Sequence, residues 1–258
     1  MKNITWILLG LSIALHANAA IKTETVEYKQ GDTTLAGFHA YDNSISGKRP
    51  GILIVHQWKG LGDYEQKRAE MLAALGYNVF AADIYGKGIR PTNPKDAGEL
   101  AGKYKTDRAL LRDRVKTALA QLQKDEMTDS KKTAAIGYCF GGTAVLELAR
   151  SGAEISGVVS FHGGLSSPSP ADAKNIKGKV LVLHGADDPH VNPEVPDFQE
   201  EMRKAGVDWQ FVAYGGAVHS FTDWNAGTDN SKGAAYNAKA DKRSWQAMKE
   251  FFAEIFGK

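Results

Sequence analysis

The sequence feature that most constrains the fold is a repeated alternation of short apolar runs with segments of helical periodicity. Ile52-Leu53-Ile54-Val55 is a continuous apolar run, as expected of a strand that is buried on both faces of a parallel sheet. The segment 107–124 carries Leu111, Val115 and Leu119 along one stripe, which is typical of an amphipathic helix. Alternating segments of these two kinds predict parallel β-α-β units.

The pattern extends along the whole chain after an initial hairpin. The first two strands flank the turn Gln30-Gly31-Asp32 and are expected to pair antiparallel, and Lys48-Arg49-Pro50-Gly51 ends this hairpin region. Strands are predicted at 23–28, 34–41, 52–55, 78–82, 133–137, 155–161, 180–184 and 207–213. Helices are predicted at 64–75, 107–124, 141–150, 193–205 and 231–256. The predicted fold class is α/β, with a doubly wound, mostly parallel sheet flanked by helices.

The first nineteen residues have the three parts of a secretory signal peptide. Lys2 supplies the positive charge, residues 4–15 form an apolar run, and Ala17-Asn18-Ala19 matches the small-x-small cleavage pattern. A membrane anchor is the alternative, but a spanning helix needs about 20 apolar residues. We therefore expect a signal peptide at 1–19 and a single domain at 20–258, exported to the periplasm or secreted, with no membrane segment after cleavage.

Composition excludes several classes of function. The 258 residues carry a formal net charge of +2, which offers no basic surface of the kind that binds nucleic acid. The single cysteine, Cys139, excludes an intramolecular disulfide framework and any metal site that needs several thiolates. A lone thiol in an exported, oxidising compartment needs its own explanation.

Cys139 lies in a pattern typical of a nucleophile elbow. Gly137-Tyr138-Cys139-Phe140-Gly141-Gly142 follows a predicted strand and opens a helix, as in the G-x-S-x-G motif with sulfur in place of the hydroxyl. The N-terminus of that helix lowers the pKa of a thiol. The backbone N–H groups of Phe140 and, from the loop after 52–55, of Trp58 are the predicted oxyanion hole. The alternative is that Cys139 is only a small buried apolar residue.

An acid and a base follow Cys139 in the order used by α/β-hydrolases. Asp187 and Asp188 lie just after the end of the strand 180–184, and His219 lies in a glycine-rich loop after 207–213. His219 is expected to hold the thiol proton and later to activate water, while an aspartate fixes the tautomer of its ring. The pattern favours Asp188 over Asp187, and both remain candidates.

A metal site is the other chemistry that the histidines at strand ends allow. His56, His162 and His184 could supply ligands, but no paired-histidine spacing supports such a site.

Taken together, these residues resemble the dienelactone hydrolase family, a branch of the α/β-hydrolases with a Cys-Asp-His triad. The resemblance covers about residues 22–256. It is carried by the motifs Gly-Tyr-Cys139-Phe-Gly-Gly, Asp83-Ile-Tyr-Gly-Lys-Gly-x-Arg90-Pro, His184-Gly-x-x-Asp188 and His219-Ser-Phe221. It implies hydrolysis of a small-molecule ester or lactone through an acyl-thioester on Cys139, with no metal and no organic cofactor.

The sequence departs from the family pattern at two places. The family commonly has a glutamate in a phrase like H-E-x-x-G, where this chain has Gln57. Dienelactone-cleaving members have an arginine four residues after the histidine, where this chain has Asp223. An acid there would repel a carboxylate substrate, so dienelactone itself is not the expected substrate.

Several side chains near the strand ends are predicted to form the substrate pocket. They are Gln57, Tyr85, Arg90, His162 and Phe221. Two other functions stay open beside the ester or lactone hydrolase. The first is a non-catalytic binding or redox-sensing protein on a hydrolase scaffold, and the second is a thioesterase.

Overall fold

The computed structural model describes residues 20–257, so the predicted signal peptide at 1–19 lies outside the described residues. The strands are β1 (Ile21–Gln30), β2 (Thr33–Asp42), β3 (Arg49–Val55), β4 (Asn78–Ala82), β5 (Thr128–Tyr138), β6 (Gly157–Phe161), β7 (Lys179–Gly185) and β8 (Trp209–Tyr214). The helices are α1 (Asp63–Ala73), α2 (Pro94–Thr106), α3 (Arg108–Lys124), α4 (Phe140–Arg150), α5 (Val195–Ala205) and α6 (Ala238–Phe256).

All of these strands belong to one sheet in the order β1-β2-β4-β3-β5-β6-β7-β8. The hairpin β1–β2 pairs antiparallel, and β2 joins β4 antiparallel. From β4 to β8 every neighbouring pair is parallel. The predicted fold class, a mostly parallel sheet with flanking helices, is confirmed.

The sheet is covered on both faces. Leu111 of α3 and Phe198 of α5 belong to a buried cluster on one face. Leu72 of α1 and Phe252 of α6 belong to a second cluster on the other face. Because both faces are covered, the parallel strands are apolar without alternation, as the sequence pattern predicted.

A buried ion cluster closes the end of α4. Arg150 is fully buried; it donates to Glu147 at 3.0 Å and to both carboxylate oxygens of Glu201 at 2.8 Å. Glu147 is also paired with Arg112 at 2.8 Å, whereas Glu201 relies on Arg150, and a buried charge that loses its partner is strongly destabilising.

Several boundaries differ from prediction by a few residues, and the starts of β3, β5 and the last helix have a clear structural cause. β3 begins at Arg49 rather than after 48–51, because Arg49 and Pro50 pair with Thr128 and Asp129 of a longer β5. The last helix begins at Ala238 rather than at 231, because Asn237 caps it through a bond from the Ala240 N–H. Residues 230–232 form only one turn of 3₁₀ helix.

The helix α2 was not predicted. It contains Gly98 and Gly102, and its buried stripe is formed by Ala97, Ala101 and Tyr104, of which only the last is large, so its apolar periodicity is weak. Its start does carry a recognisable signal, since Asn93 caps the helix and Pro94 occupies its first position. This helix matters for the site described below.

Candidate active site

Cys139 sits at a sharp turn between β5 and α4. Its backbone has φ +53° and ψ −113°, a conformation that non-glycine residues rarely adopt. A Cβ on Gly137 would collide with the carbonyl of Gly141, and a Cβ on Gly141 would collide with the carbonyl of Val55. Both glycines are therefore required by close backbone contacts, and the turn presents the half-buried thiol at the carboxyl end of the sheet.

The structure brings Cys139, His219 and Asp188 into one hydrogen-bonded line. His219 Nε2 lies 3.1 Å from Cys139 Sγ, and His219 Nδ1 lies 2.8 Å from Asp188 Oδ2. The other oxygen of the fully buried Asp188 accepts the backbone N–H groups of His190 and Val191. These donors orient the carboxylate towards the imidazole.

Asp187 points elsewhere. It is exposed, and its carboxylate accepts the backbone N–H of Gly216 at 3.0 Å. Of the two aspartates that the sequence left open, the structure places Asp188 beside His219.

The loop that carries His219 is held by backbone hydrogen bonds rather than by a strand. The N–H of His219 donates to the Gly233 carbonyl, and the His219 carbonyl accepts the N–H of Ala235. These bonds form a parallel bridge to Ala234. The ring of His219 is thereby placed over the end of the sheet, although no regular element contains it.

The electrostatics of the three side chains favour an ion pair. Burial opposes ionisation of Cys139, but the charge and hydrogen bond of His219, with smaller contributions from Lys105 and the Phe140 N–H, hold the thiol pKa below its usual value. Burial likewise opposes protonation of His219, yet Cys139 and Asp188 together raise the pKa of its imidazole. The arrangement therefore stabilises a thiolate beside an imidazolium.

The carboxyl of Asp188 completes this balance. Burial would raise its pKa, but hydrogen bonds from His219 and from the backbone of His190 and Val191 outweigh burial and lower it. Asp188 is thus held as an anion that fixes the proton on His219 Nδ1.

A cavity of about 330 Å³ opens directly above the thiol. It is lined by Trp58, Gly98, Ala101, Gly102, Lys105, Cys139, Phe140, His219, Ser220 and Ala234. Phe140 and Trp58, whose N–H groups were predicted to hold an oxyanion, both border this thiol cavity. The face of α2 that includes Lys105 forms one wall, which sequence reasoning missed because it missed the helix.

A second cavity of about 700 Å³ adjoins the first and shares Trp58, Ser220 and Ala234 with it. Gln57 and Arg90 line this second cavity and not the thiol cavity. The Gln57 side-chain amide donates to Asp223 at 3.3 Å, which ties together the two positions where the chain departs from the family pattern.

Arg90 is used mainly to hold its own loop. Its guanidinium donates to the carbonyls of Leu61 and Ile89 and contacts Asp83 at 3.3 Å. Arg90 therefore lies at the edge of the second cavity, where it stabilises its own loop, and it does not line the thiol cavity.

Three of the predicted pocket residues line neither cavity. Tyr85 is 3% exposed and packs its ring against Phe140 while its hydroxyl donates to the Trp58 carbonyl. Phe221 is fully buried against the ring of Tyr214. His162 is 1% exposed and lies behind Cys139. Sequence position at a strand end did not reveal that these side chains point into the interior.

A buried carboxyl that the sequence reasoning missed supports the loop of Gln57 and Trp58. Glu65 is 2% exposed and accepts the N–H groups of Gln57 and Gly62. Burial raises the pKa of Glu65 to about 7, against the effect of these hydrogen bonds. Glu65 accepts the N–H of Gly62, the N-cap of α1, as the glutamate of a capping box does, so a glutamate three residues after the N-cap was the signal that could have found it.

Within residues 20–257, no group of three or more His, Cys, Asp or Glu side chains is arranged to hold a metal ion. None of the helices described there is both long enough and apolar enough to cross a bilayer.

Comparison with solved structures finds close neighbours over nearly the whole chain. A structure named m3DLH has a TM-score of 0.88 and 41% sequence identity, covering 92% of this chain and 99% of its own. A dienelactone hydrolase-like promiscuous phosphotriesterase, P91 from metagenomic libraries, has a TM-score of 0.86 and 41% identity with the same coverage. A Caenorhabditis elegans protein is 38% identical over 149 residues, which is 57% of this chain and 94% of that protein.

The fold is that of an α/β-hydrolase. The family model of dienelactone hydrolases matches residues 35–256, and this chain belongs to the dienelactone hydrolase family. It is a hydrolase of the ester or lactone type.

Proposed function

We propose that the protein hydrolyses carboxylic esters or lactones with Cys139 as the nucleophile. The observation that carries this proposal is the line from Cys139 Sγ through His219 to Asp188, with contacts of 3.1 and 2.8 Å. The thiolate attacks the carbonyl carbon, and the carbonyl oxygen takes up the electron pair as an oxyanion. The His219 imidazolium then gives its proton to the departing alkoxide, which leaves an acyl-thioester on Cys139.

Deacylation reverses these roles. His219 takes a proton from water while the water oxygen attacks the thioester carbonyl, and the thiolate of Cys139 leaves as the acid is released. Asp188 keeps the imidazole in the tautomer that both steps need and stabilises its charged form. No metal or organic cofactor takes part in this sequence.

The oxyanion is held by the backbone N–H groups of Phe140 and Trp58. Phe140 is the first residue of α4, so its N–H lies among those that the helix leaves unpaired. Trp58 borders the same cavity from the opposite loop. Removal of one such donor from an enzyme of this type costs about 10²–10³ in kcat.

The thiol cavity limits the substrate to a small molecule. Its walls include Trp58, Phe140 and Ala234, which suit an apolar group next to the scissile bond. The neighbouring second cavity is larger and contains Gln57 and Asp223, which suit a polar group. A thioester substrate would use the same nucleophile and the same steps.

Phosphotriester hydrolysis is a second candidate activity of this site. The observation that favours it is the 41% identity to P91, a dienelactone hydrolase-like promiscuous phosphotriesterase. The thiolate would attack phosphorus and expel one alkoxide or phenoxide, which takes the proton of His219, and water activated by His219 would then release the phosphodiester and restore the thiolate. The same backbone donors would hold the negative charge that develops on the phosphoryl oxygen.

Turnover of short p-nitrophenyl esters, a thioester and a p-nitrophenyl phosphotriester tests these activities. We expect Cys139→Ala to lose turnover of every substrate that the protein accepts. Equal rates for Cys139→Ala and the unmodified protein would refute the nucleophile assignment. A Cys139→Ser variant determines whether sulfur itself is needed.

Alkylation of Cys139, compared with turnover of the same substrates, separates catalysis from a binding or redox-sensing role. A sensor thiol reacts with oxidants and alkylating reagents yet forms no acyl adduct from any ester or lactone. If Cys139 alkylates readily while no substrate in the panel is turned over, the non-catalytic reading replaces the hydrolase mechanism.

We further propose that the protein is exported, with residues 1–19 as its signal peptide and 20–258 as its single domain. The sequence pattern at 2–19 supports this proposal. Intact mass of the protein recovered from the periplasm or medium tests it. A first residue at Ala20 is the expected result, and full-length protein retained in the cytoplasm would contradict it.

A further inference from the structure

His162 lies directly behind the nucleophile, outside both cavities described above. It follows β6, is 1% exposed and has a backbone φ of +40°. Its Nδ1 lies 3.1 Å from the backbone nitrogen of Cys139, which also donates to the Phe161 carbonyl at 3.0 Å. Because the backbone N–H can only donate, Nδ1 must be an acceptor and carries no proton.

The other ring nitrogen is committed as well. His162 Nε2 lies 2.7 Å from the hydroxyl of the fully buried Thr222, and this hydroxyl lies 2.7 Å from the Tyr64 hydroxyl. Tyr64 in turn accepts from Arg68 Nε at 3.1 Å. With Nδ1 unprotonated, the neutral ring carries its proton on Nε2 and donates it to Thr222.

The surroundings keep this ring neutral. Burial, together with the nearby charges of His219, Arg68 and His184, holds the pKa of His162 well below its usual value. The rings of His162 and His219 are 5.4 Å apart, so a second charge beside the imidazolium of the triad is unfavourable. The ring of Tyr138 also lies beside His162, with the ring centroids 6.1 Å apart, and Cys139 contacts Nδ1 through its backbone N–H.

We propose that His162 is a positioning residue for the nucleophile, and that Thr222 selects the tautomer in which it works. The neutral ring accepts the Cys139 N–H and so helps to hold the strained turn that aims the sulfur at His219. In the other tautomer an N–H on Nδ1 would face the N–H of Cys139, and this hydrogen bond would be lost. The inference rests on the proposed role of Cys139 as nucleophile.

Two substitutions at Thr222 separate the tautomer effect from simple packing. Thr222→Val keeps the shape but removes the acceptor for Nε2, whereas Thr222→Ser keeps the hydroxyl. A third variant, His162→Asn, keeps an acceptor at the position of Nδ1, and asparagine tolerates a positive φ. It also remains informative if Thr222→Val folds poorly.

The measurements are the ¹⁵N chemical shifts of the His162 ring, kcat and KM for a p-nitrophenyl ester, and the pH dependence of Cys139 alkylation. In the unmodified protein we expect His162 Nδ1 to be unprotonated. In Thr222→Val we expect loss of the single tautomer, a fall in kcat of about tenfold with KM within about twofold, and an alkylation profile shifted to higher pH. Thr222→Ser and His162→Asn should retain most of kcat and the original alkylation profile.

Two results would overturn the proposal. One is a protonated Nδ1 on His162 in the unmodified protein. The other is a Thr222→Val protein that melts at a lower temperature while kcat and the alkylation profile stay unchanged, which is what a merely structural contact would produce. The ring shifts do not depend on turnover, so a Cys139→Ala protein with full activity would refute the hydrolase mechanism while the tautomer could still be read.

Discussion

Replacement of Asp188 by asparagine should disable the site while leaving the fold intact. Asp188 Oδ1 accepts two backbone N–H groups, and an amide oxygen can take over both of these bonds. The amide NH₂ then faces His219 Nδ1 where Oδ2 now accepts at 2.8 Å. His219 must turn Nδ1 into an acceptor and carry its proton on Nε2, so it can no longer accept the proton of the thiol.

The size of the effect follows from this contact. Two unit charges 2.8 Å apart attract by about 6 kcal/mol at an effective dielectric constant of about 20, which is an upper limit. The net value of a charge-assisted hydrogen bond is about 1.5–3 kcal/mol. At about 1.4 kcal/mol per pKa unit, the imidazole pKa falls by about one to two units. The thiolate–imidazolium pair then becomes about 10- to 100-fold less populated, and the wrong tautomer lowers kcat further.

The assay is the rate of Cys139 alkylation against pH, followed by kcat for a p-nitrophenyl ester. The pKa of the thiol is held below its usual value, so the unmodified protein should still be alkylated at pH values below about 8.5, where an ordinary thiol is mostly protonated. In Asp188→Asn we expect the midpoint to rise by about one to two pH units and kcat to fall by at least about 100-fold.

The adjacent Asp187 provides a matched control. Asp187→Asn removes the same charge one residue away, but that carboxylate is exposed and bonds only to the Gly216 N–H among the contacts described. Its kcat should stay within about threefold of the unmodified protein, since a surface charge contributes little. If both substitutions have the same effect, the assignment of Asp188 as the third member of the triad is refuted.

Three further predictions concern the walls and support of the site. Gly102→Leu should raise the free energy of unfolding by up to about 1 kcal/mol, because a Cβ at this helix position meets nothing within 4 Å, but it should lower kcat/KM for bulky esters because Gly102 lines the thiol cavity. Thermal melting and a series of esters of increasing length test this, and an unchanged kcat/KM for the bulky esters would contradict it. Lys105→Gln should raise the pKa of the Cys139 thiol, measured by alkylation, because the charge of Lys105 helps to lower it. Lys103→Gln, on the same helix but outside the thiol cavity, should leave that pKa unchanged, and equal shifts in the two variants would contradict a local charge effect. Arg150→Met should lower the free energy of unfolding by about 3–5 kcal/mol in urea titrations, because it leaves the buried Glu201 without the guanidinium it pairs with and leaves Glu147 with Arg112 alone. A loss below about 1 kcal/mol would contradict this role of Arg150.

The elbow could be predicted because its chemistry is local. Backbone contacts within and beside the motif exclude a Cβ at positions 137 and 141, so both must be glycine, and this requirement is visible in a short stretch of sequence. The order of Cys139, Asp188 and His219 along the chain, which is that of α/β-hydrolases, predicted the other two members of the triad. The pattern His184-Gly-x-x-Asp188 also favoured Asp188 over Asp187, and the structure places Asp188 beside the imidazole. The direction in which each carboxylate points after β7 is a tertiary feature that the pattern alone does not give.

The walls of the cavity could not be predicted in the same way. The inner face of α2 is divided between the core and a cavity. Tyr104 packs against the rings of Tyr85 and Phe140, whereas Gly98, Gly102 and Lys105 border the thiol cavity, so the apolar stripe of the helix is narrow. Tyr85 and Phe221 belong to the motifs that carry the family resemblance, but their rings are buried in the interior. Whether an aromatic side chain lines a pocket or packs behind it depends on tertiary contacts that periodicity does not encode.

The central claim is that Cys139 carries the acyl group during turnover. The most direct test is the intact mass of the protein quenched in acid during reaction with a p-nitrophenyl ester, followed by peptide mapping. We expect a mass increase of one acyl group, located on the peptide that contains Cys139 and enriched in a variant with slowed deacylation. An acyl group on another residue, or turnover that continues in Cys139→Ala with no adduct at all, would contradict the mechanism.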